Sequence, residues 1–314
     1  MPRYDKSFDA LFNPGLDGEQ LNLCAGVDLA PEARHFSIAN ALWLAELCRF
    51  VYRLDSSFSD AGQLALQDQA LLQATGLQLV AELSDESTST RAVLFGTAES
   101  DRPVAGPVNF LVFCGTNEML DWKMNIQALQ EEFPGPARIH AGFGKCYASL
   151  SHQVGKLELG GSPLFLAGHS LGGALATLAL ADLQRREIAV NCCYSFGSPR
   201  VGDRKFASQV EPLPLYRVVN GCDIVTAFPQ SFGTVEYMQP NRGVFLSGDG
   251  ELLCSADDST IQKRQLEYLP SLKKYADPAL LFKRFRTIPD ELPRYLSDHS
   301  IINYSYGLSD QLSI

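Results

Sequence analysis

The sequence predicts an α/β fold in which helices flank a central, mostly parallel β-sheet. Three short apolar runs, 163–168, 188–197 and 215–221, have the composition of strands buried on both faces. A helical pattern lies between the first two, and this alternation implies right-handed crossovers between parallel strands. No shift in composition marks a linker, so we expect a single domain over residues 1–314, with residues 1–35 as an irregular N-terminal arm.

The predicted elements follow one another as a helix, antiparallel strands, and then alternating strands and helices. Apolar residues at helical spacing predict a packed helix with one broad apolar face over 37–54. Strand-like runs separated by polar or Gly/Pro turns predict an antiparallel meander over 77–83, 90–98 and 108–115. A short extended piece leads into a helix within 137–154, and a second helix is expected over 171–187. Hairpins are expected over 234–254, where Gly-Asp-Gly favours a turn.

The charge balance limits the classes of partner. The 314 residues contain 26 Lys+Arg and 36 Asp+Glu, a formal net charge of -10 at pH 7. An acidic surface repels phosphate groups, so neither nucleic acid nor electrostatic docking on an anionic membrane is expected. The sequence contains no signal-peptide pattern and no apolar run of 18 residues, so we expect no transmembrane segment. This favours a cytoplasmic protein; non-classical secretion or a leaderless mature form is the alternative.

The eight cysteines show no spacing typical of a metal knuckle. Cys192 and Cys193 lie in an apolar run, where neighbouring side chains point to opposite faces of a strand. Because free cysteine is among the most buried residue types, we interpret these thiols as small buried hydrophobes and expect no metal site.

The sequence GHSLG at 168–172 fits the G-x-S-x-G pattern of a nucleophile elbow around Ser170. An apolar strand precedes it and a helix rich in small residues follows, which is the setting that such an elbow requires. Gly168 and Gly172 would let strand and helix approach without Cβ clashes. Ser170 would then lie at a helix N-terminus, whose N–H groups favour a developing oxyanion. The alternative is a serine that only caps the helix.

A nucleophile elbow predicts the chain order Ser, then Asp or Glu, then His. Of the five histidines only His299 follows Ser170, which makes it the candidate general base; an exposed loop histidine is the alternative. Two carboxylates near strand ends could orient it, Asp203 and Asp223. Asp223 follows the more convincing strand, 215–221, but a turn-forming aspartate fits the same pattern.

Acyl transfer also needs hydrogen-bond donors for an oxyanion. The backbone N–H of Leu171, next to the nucleophile, is the first candidate. The second is Thr116, which follows an apolar strand and Gly115 and offers both an N–H and a hydroxyl group. A Ser/Thr turn that closes the strand is the alternative for Thr116.

Seven motifs, in order, resemble those of the class 3 lipases, the fungal-lipase-like branch of the α/β-hydrolases. They cover most of the chain from about Leu42 onward: FCGT, DWKMN, IHAGF, GHSLGGALA, SFGSPRVGD, YRVVNGCDIVTAFP and DHSIINY. The resemblance implies an α/β-hydrolase fold, with a central, mostly parallel mixed sheet and a lid segment over the site.

The resemblance also implies roles for particular residues. It assigns a catalytic triad to Ser170, Asp223 and His299, and so favours Asp223 over Asp203. It assigns the oxyanion hole to Thr116 and Leu171. His140 matches a family position beside the site that supports its geometry.

Two features depart from the family pattern. Family members commonly have an arginine where this chain has Cys114, so a local ion pair is missing. The interval between His299 and Tyr304 is longer than in the family. The well-known secreted members also carry leaders and disulfides, so their localisation is not transferred to this chain.

The segment after Thr116 is a lid in the resembled family, closed in water and open at a lipid surface. Residues 117–130 place apolar side chains on one helical face or close to it: Met119, Leu120, Trp122, Ile126 and Leu129. Of these, Met119, Leu120, Trp122 and Ile126 are the predicted lid and substrate-binding residues. An ordinary amphipathic helix packed on the core fits the same periodicity.

These patterns together predict a serine ester hydrolase that forms an acyl-enzyme and needs no metal or cofactor. The resemblance favours a triacylglycerol lipase that acts on acylglycerols at an oil–water interface. A carboxylesterase or phospholipase A1 would use the same triad. From another class, a catalytically silent lipase-fold binding protein stays open, although the complete triad argues against it.

Overall fold

The structure is a computed structural model of the chain. It describes residues 4–15, 19–33, 35–54, 66–97, 106–115, 129–240, 242–248, 250–268 and 292–312. Within these ranges, no helix combines the length and the apolar character needed to cross a lipid bilayer.

The described strands are β1 (Leu77–Asp85), β2 (Thr90–Thr97), β3 (Asn109–Phe113), β4 (Gln130–Glu132), β5 (Arg138–His140), β6 (Leu164–His169), β7 (Cys192–Phe196), β8 (Leu215–Asn220), β9 (Gly243–Leu246) and β10 (Leu252–Ala256). The described α-helices are α1 (Phe8–Phe12), α2 (Ile38–Leu54), α3 (Leu66–Ala74), α4 (Ala141–Val154), α5 (Leu171–Arg185), α6 (Arg204–Val210), α7 (Asp258–Tyr268), α8 (Arg294–Ser297) and α9 (Ile301–Leu312). Short 3₁₀ helices span Asn22–Cys24 and Ile224–Ala227.

Eight of the described strands form one mixed sheet in the order β1-β2-β3-β6-β7-β8-β9-β10. Strands β3, β6, β7, β8 and β9 are parallel to their neighbours in this series. The pairs β1–β2, β2–β3 and β9–β10 are antiparallel, which confirms the predicted meander and one of the hairpins expected over 234–254. The prediction of a central, mostly parallel sheet is confirmed.

Successive strand residues alternate between two apolar layers, one on each face of the sheet. Phe110 and Phe165 belong to the layer covered by α2 and α9, whereas Leu111 and Leu166 belong to the layer covered by α4, α5 and α6. This alternation is the two-residue period of a strand with both faces buried.

All eight cysteines are free thiols. Cys192 lies in the first apolar layer and Cys193 in the second, so the pair occupies opposite faces of β7 as predicted. Six of the eight are buried, while Cys254 is exposed and departs from that expectation.

Helix α2 is more deeply buried than its sequence pattern predicts. The sequence pattern predicts burial of one apolar face only. In the structure the buried surface is wider, because α9, β3, β6 and the 3₁₀ helix Asn22–Cys24 all pack around the helix. Even the Glu46 side chain is buried, where its carboxylate accepts a hydrogen bond from the Leu21 N–H over 2.7 Å.

The parallel strands β6, β7 and β8 are neighbours, and they end within a few residues of one another in register. His169 pairs with Phe196, and Phe196 pairs with Val218. The loops that follow these strands therefore meet at the carboxyl edge of the sheet, where polar side chains from distant parts of the chain are brought together.

Candidate active site

Ser170 lies in a sharp turn between the end of β6 at His169 and the start of α5 at Leu171. Its backbone has φ 57° and ψ -123°, a conformation that non-glycine residues rarely adopt. The Ser170 N–H donates to the Phe196 carbonyl over 2.9 Å, which holds the turn against β7. Because the side chain makes no capping hydrogen bond to α5, helix capping does not account for this serine.

Two glycines make this turn possible because backbone atoms approach them closely. A Cβ on Gly168 would lie 2.1 Å from the backbone of Gly172, and a Cβ on Gly172 would lie 2.2 Å from the Phe113 carbonyl oxygen. The first contact allows β6 and α5 to meet at the elbow. The second brings the end of β3 against the start of α5, so the chain leading to Thr116 passes close to Leu171.

The side chains of Ser170, His299 and Asp223 form a continuous hydrogen-bonded chain. His299 Nε2 lies 2.9 Å from Ser170 Oγ, and His299 Nδ1 lies 2.9 Å from each carboxylate oxygen of Asp223. A carboxylate only accepts hydrogen bonds, so Nδ1 carries the proton and Nε2 is left to accept from the serine hydroxyl. His299 and Asp223 are both fully buried, which rules out an exposed loop histidine at 299.

The Asp223 carboxylate has further donors. Tyr304 Oη donates to Asp223 Oδ2 over 2.7 Å, and the Val225 N–H donates to Oδ1 over 2.9 Å. Burial and the neighbouring Asp223 carboxylate raise the pKa of Tyr304 well above its ordinary value, so the phenol remains a hydrogen-bond donor at neutral pH. These donors hold Asp223 in one orientation toward the imidazole.

Asp203, the other candidate carboxylate, has a different environment. It is the N-cap of α6, and its side chain accepts a hydrogen bond from the Phe206 N–H over 2.8 Å. This bond satisfies one of the N–H groups that a helix start leaves without an intrahelical partner.

The ring of His169, the residue before the serine, supports the backbone of His299. His169 Nε2 lies 2.7 Å from the His299 carbonyl oxygen, and Nδ1 lies 2.9 Å from Tyr52 Oη. Since a carbonyl only accepts, Nε2 carries the proton; in the neutral ring, Nδ1 accepts from the tyrosine hydroxyl. The two imidazoles lie against each other, with centroids 4.7 Å apart.

Gly197, at the end of β7, leaves room for the histidine–carboxylate pair. Its φ is 58°, and a Cβ there would lie 2.7 Å from Asp223 Oδ2 and 3.0 Å from His299 Nδ1. Any side chain at this position would push into the hydrogen bond that orients the imidazole.

The remaining predicted site residues divide into two groups. Leu171 is the first residue of α5, where the backbone N–H has no intrahelical acceptor and lies next to Ser170. The others lie outside the described residues: Thr116, Met119, Leu120, Trp122 and Ile126. The end of the 117–130 segment is described, and there Gln130 belongs to strand β4, paired with His140, rather than to a helix.

His140 occupies the N-cap of α4. Its Nδ1 accepts a 3.4 Å hydrogen bond from the Phe143 N–H, and the two rings stack with centroids 4.2 Å apart. Cys114, which stands where the family commonly has arginine, is a buried thiol packed in the first apolar layer.

Three residues of this site are not assigned by sequence reasoning: His169, Tyr52 and Gly197. In the sequence, His169 is marked only as the variable position of the elbow pattern. Gly197 is marked only as the glycine of SFGS within a family motif. Tyr304 is visible as the last residue of the motif DHSIINY, at an interval from His299 that departs from the family.

A mostly parallel sheet with a strand–turn–helix elbow, followed along the chain by a buried aspartate and then a histidine, is the α/β-hydrolase fold. A solved structure, the crystal structure of a lipase from Rhizopus microsporus var. chinensis, shares this fold. It superposes with a TM-score of 0.53 at 22% identity, over 81% of this chain and 83% of that one.

The sequence comparisons find similarity to one family over part of the chain. Residues 110–232 match the family Lipase (class 3). The chain is 31% identical over 134 residues to a lipase of Rhizomucor miehei, covering 38% of this chain and 37% of that protein. It is 32% identical over 145 residues to the chloroplastic phospholipase A(1) DAD1 of Arabidopsis thaliana, covering 37% of this chain and 32% of that protein. Residues 110–232 are thus similar to the class 3 lipases, and the chain spans about a third of the length of these curated relatives.

Proposed function

We propose that the chain is a serine ester hydrolase, and that its substrates are carboxylic esters of acylglycerols, as for a triacylglycerol lipase. The observation that carries the proposal is the hydrogen-bonded chain from Ser170 through His299 to Asp223, built on a nucleophile elbow. A serine hydroxyl with an oriented imidazole beside it is an activated nucleophile. The complete set favours an enzyme over a silent binding protein.

In the proposed acylation step, Ser170 Oγ attacks the ester carbonyl carbon while His299 Nε2 takes its proton. Asp223 keeps the proton of the imidazole on Nδ1 and stabilises the imidazolium that forms. The tetrahedral intermediate collapses as His299 gives its proton to the leaving alcohol oxygen, and the acyl group stays on Ser170. Water then attacks the acyl-enzyme, with His299 again as base, and releases the fatty acid.

The oxyanion of each tetrahedral intermediate needs donors beside Ser170. The position of Leu171 as the first residue of α5 supports its N–H as one donor, since the helix dipole also favours negative charge there. We propose Thr116 as the second donor on the basis of its motif. The close approach of β3 to Gly172 supports this placement.

The family and the apolar character of residues 117–130 support a lipid ester as substrate. We propose that Met119, Leu120, Trp122 and Ile126 belong to a lid that shields an acyl-binding cleft and meets the lipid interface. A phospholipase A1 is the second candidate. It is favoured because the chain is about as similar to the Arabidopsis phospholipase A(1) as to the Rhizomucor lipase.

Two experiments test the proposal in sequence. A fluorophosphonate should modify the wild-type protein at Ser170, as mapped by peptide mass spectrometry, and should leave Ser170→Ala unmodified. Failure to modify Ser170 would favour the silent binding protein.

Initial rates on emulsified triolein, phosphatidylcholine vesicles and soluble p-nitrophenyl butyrate then separate the activities. A lipase should show a steep rise in rate once triolein exceeds its solubility. Release of the sn-1 fatty acid from phosphatidylcholine, with little from triolein, would favour the phospholipase. Hydrolysis confined to the soluble ester would favour a carboxylesterase.

A further inference from the structure

The N-terminal part of the chain crosses the loop that carries His299. We call residues 4–12 the N-terminal clasp and residues 292–303 the His299 loop. Hydrogen bonds join the two at several points: Tyr4 Oη to Asp298 Oδ1, Asp5 N–H to Asn303 Oδ1 (2.8 Å), Asn303 Nδ2 to the Asp5 carbonyl (2.6 Å), Leu292 N–H to the Lys6 carbonyl (2.8 Å), and Ser300 Oγ to the Ala10 carbonyl.

Asp298 connects the clasp to both loops of the proposed triad. Its Oδ2 accepts hydrogen bonds from the Cys222 N–H over 2.8 Å and from the Cys222 thiol over 3.1 Å. Burial and the Asp298 carboxylate raise the pKa of the Cys222 thiol, which therefore stays protonated as a donor. Cys222 precedes Asp223, and Asp298 precedes His299. The hydrogen bonds between Cys222 and the buried Asp298 carboxylate therefore join the two loops of the proposed triad, while Tyr4 donates to the other oxygen of that carboxylate.

The clasp also packs against both loops through apolar side chains. Leu11 is buried in a small cluster with Ile224 and Val225, which follow Asp223, and with Leu292 and Leu296 of the His299 loop. Phe8 and Phe12 pack on the edge of this cluster. The clasp thus contacts both the segment that follows Asp223 and the segment that precedes His299.

We propose that the N-terminal clasp positions His299 against Ser170 and Asp223, with Tyr4 and Asn303 as positioning residues that act through the His299 loop. This inference rests on the proposed function. Displacement of a catalytic group by about 1 Å can lower a rate about a hundredfold, so a clasp outside the reacting atoms can still control turnover. The clasp lies outside residues 110–232, the part of the chain that matches the family.

The test compares three variants of the full chain on p-nitrophenyl butyrate, a soluble ester that needs no lipid interface. Tyr4→Phe removes only the hydroxyl that reaches Asp298. Asn303→Ala removes the paired bonds to the Asp5 backbone and also the bond from Asn303 Nδ2 to the Ser297 carbonyl (2.8 Å) within the His299 loop, so Tyr4→Phe is the variant specific to the clasp. Asp9→Ala is the matched control, because the exposed Asp9 side chain accepts a hydrogen bond from Asn13, the residue directly after the clasp. Rates are expressed per active site titrated with phosphonate, and far-UV circular dichroism with thermal melting checks the fold of each variant.

We expect kcat to fall about three- to tenfold in Tyr4→Phe and further in Asn303→Ala, with KM within about twofold of wild type. Phosphonylation of Ser170 should slow in parallel. Amide hydrogen exchange in residues 292–303 should become faster, while Asp9→Ala should match wild type in all three measurements.

Wild-type kcat in a natively folded Tyr4→Phe, even with faster exchange in the His299 loop, would overturn the proposal. An equal loss of kcat in Asp9→Ala would overturn it as well, because the effect would then not depend on contacts to the loop. A wild-type protein that neither hydrolyses the ester nor reacts at Ser170 would reject the proposed function itself, and this result is distinct from unaffected variants of an active enzyme.

Discussion

The hydroxyl group of Tyr304 donates to Oδ2 of Asp223 over 2.7 Å, so the tyrosine and the imidazole of His299 share one carboxylate. The same phenol oxygen accepts a hydrogen bond from the Asn220 N–H over 3.1 Å. Tyr304 therefore links the end of β8 to the aspartate that follows it. This relationship predicts that the tyrosine contributes both to stability and to the orientation of the proposed triad.

Replacement of Tyr304 by phenylalanine should therefore impair turnover. Removal of a hydrogen bond to a charged group, together with an orphaned backbone N–H, should lower the free energy of unfolding by about 1.5–3 kcal/mol. We expect kcat/KM on p-nitrophenyl butyrate to fall about tenfold, since Asp223 would lose a donor that orients it. Urea unfolding and steady-state kinetics on Tyr304→Phe measure the two effects.

Tyr194→Phe is the control for that substitution. Its buried hydroxyl bonds the Ser37 backbone at the start of α2 and makes no contact with the triad carboxylate. It should lose stability and keep wild-type kcat. Equal kinetic losses in the two variants would contradict the special role of Tyr304.

The His169 imidazole should matter for turnover through the backbone of His299. His169→Phe keeps an aromatic ring but removes the donor to the buried His299 carbonyl, a loss of about 1–3 kcal/mol in stability. We expect kcat to fall about tenfold, because the His299 backbone is no longer held. Tyr52→Phe, which leaves the bond from His169 to His299 intact, should lower the melting temperature and leave kcat near wild type. A reversed pattern would refute this division of roles.

The proposed triad could be predicted because it depends on chain order. An elbow motif identifies Ser170, the only histidine after it is His299, and a strand end followed by aspartate suggests Asp223. The structure brings these three side chains together. Patterns along the chain could not decide between Asp223 and Asp203, since both follow apolar strands. The folded loops decide it, because the loop after β8 brings Asp223 to His299 while Asp203 caps α6.

The supporting residues could not be predicted because they act through contacts between distant segments. The bond between Tyr52 and His169 spans 117 positions, and the bond between His169 and His299 spans 130. Hydrophobic periodicity reports which face of an element is apolar, not which side chain of another element it meets. The burial of α2 on all sides has the same origin, because α9 and residues from the N-terminal arm cover it from outside.

The glycines of the elbow should differ sharply in their tolerance of alanine. A Cβ at Gly168 meets the Gly172 backbone at 2.1 Å, which neither segment can relieve without separating β6 from α5. Gly168→Ala should therefore destabilise the fold severely and abolish phosphonate labelling of Ser170. In Gly173→Ala the nearest atom is the Ser198 Cβ at 3.0 Å, so a smaller loss of about 1–3 kcal/mol is expected.

Gly307, in helix α9, is the control for these substitutions, because a Cβ there would make an ordinary 3.7 Å contact with Leu246. Gly307→Ala should stabilise the protein by about 0.5–1 kcal/mol, the usual gain inside a helix. Soluble expression and urea unfolding of the three variants measure the order of their stabilities. A folded, reactive Gly168→Ala protein would show that the elbow relaxes more easily than its geometry indicates.

The helix that follows Ser170 is tied to α4 by a buried carboxylate, Asp182. Tyr147 of α4 donates to Asp182 Oδ2 over 2.8 Å, and Arg185 and Arg186 form ion pairs with the carboxylate at 2.8 and 2.7 Å. Burial alone would raise the pKa of Asp182, but the hydrogen bonds from Arg186, Tyr147 and Arg185 outweigh burial and lower it below the ordinary value.

This lowered pKa predicts a pH dependence with a definite sign. A carboxylate with a lower pKa in the folded than in the unfolded state stabilises the fold above the unfolded value, about 3.8 for aspartate, and this stabilisation is lost as the pH falls through the folded value. Asp182→Asn should lower the free energy of unfolding by about 1.5–3 kcal/mol at pH 7. The gap between wild type and variant should shrink steadily below about pH 4.

Urea unfolding of both proteins at pH 7, 5, 4 and 3 measures this gap. Asp9→Asn, an exposed aspartate, should change the free energy of unfolding at pH 7 by less than about 0.5 kcal/mol. A gap for Asp182→Asn that stays constant down to pH 3 would mean that its charge does not stabilise the fold. In that case the variant's loss would come from packing between α4 and α5, since only the ionised carboxylate is titrated away over this range.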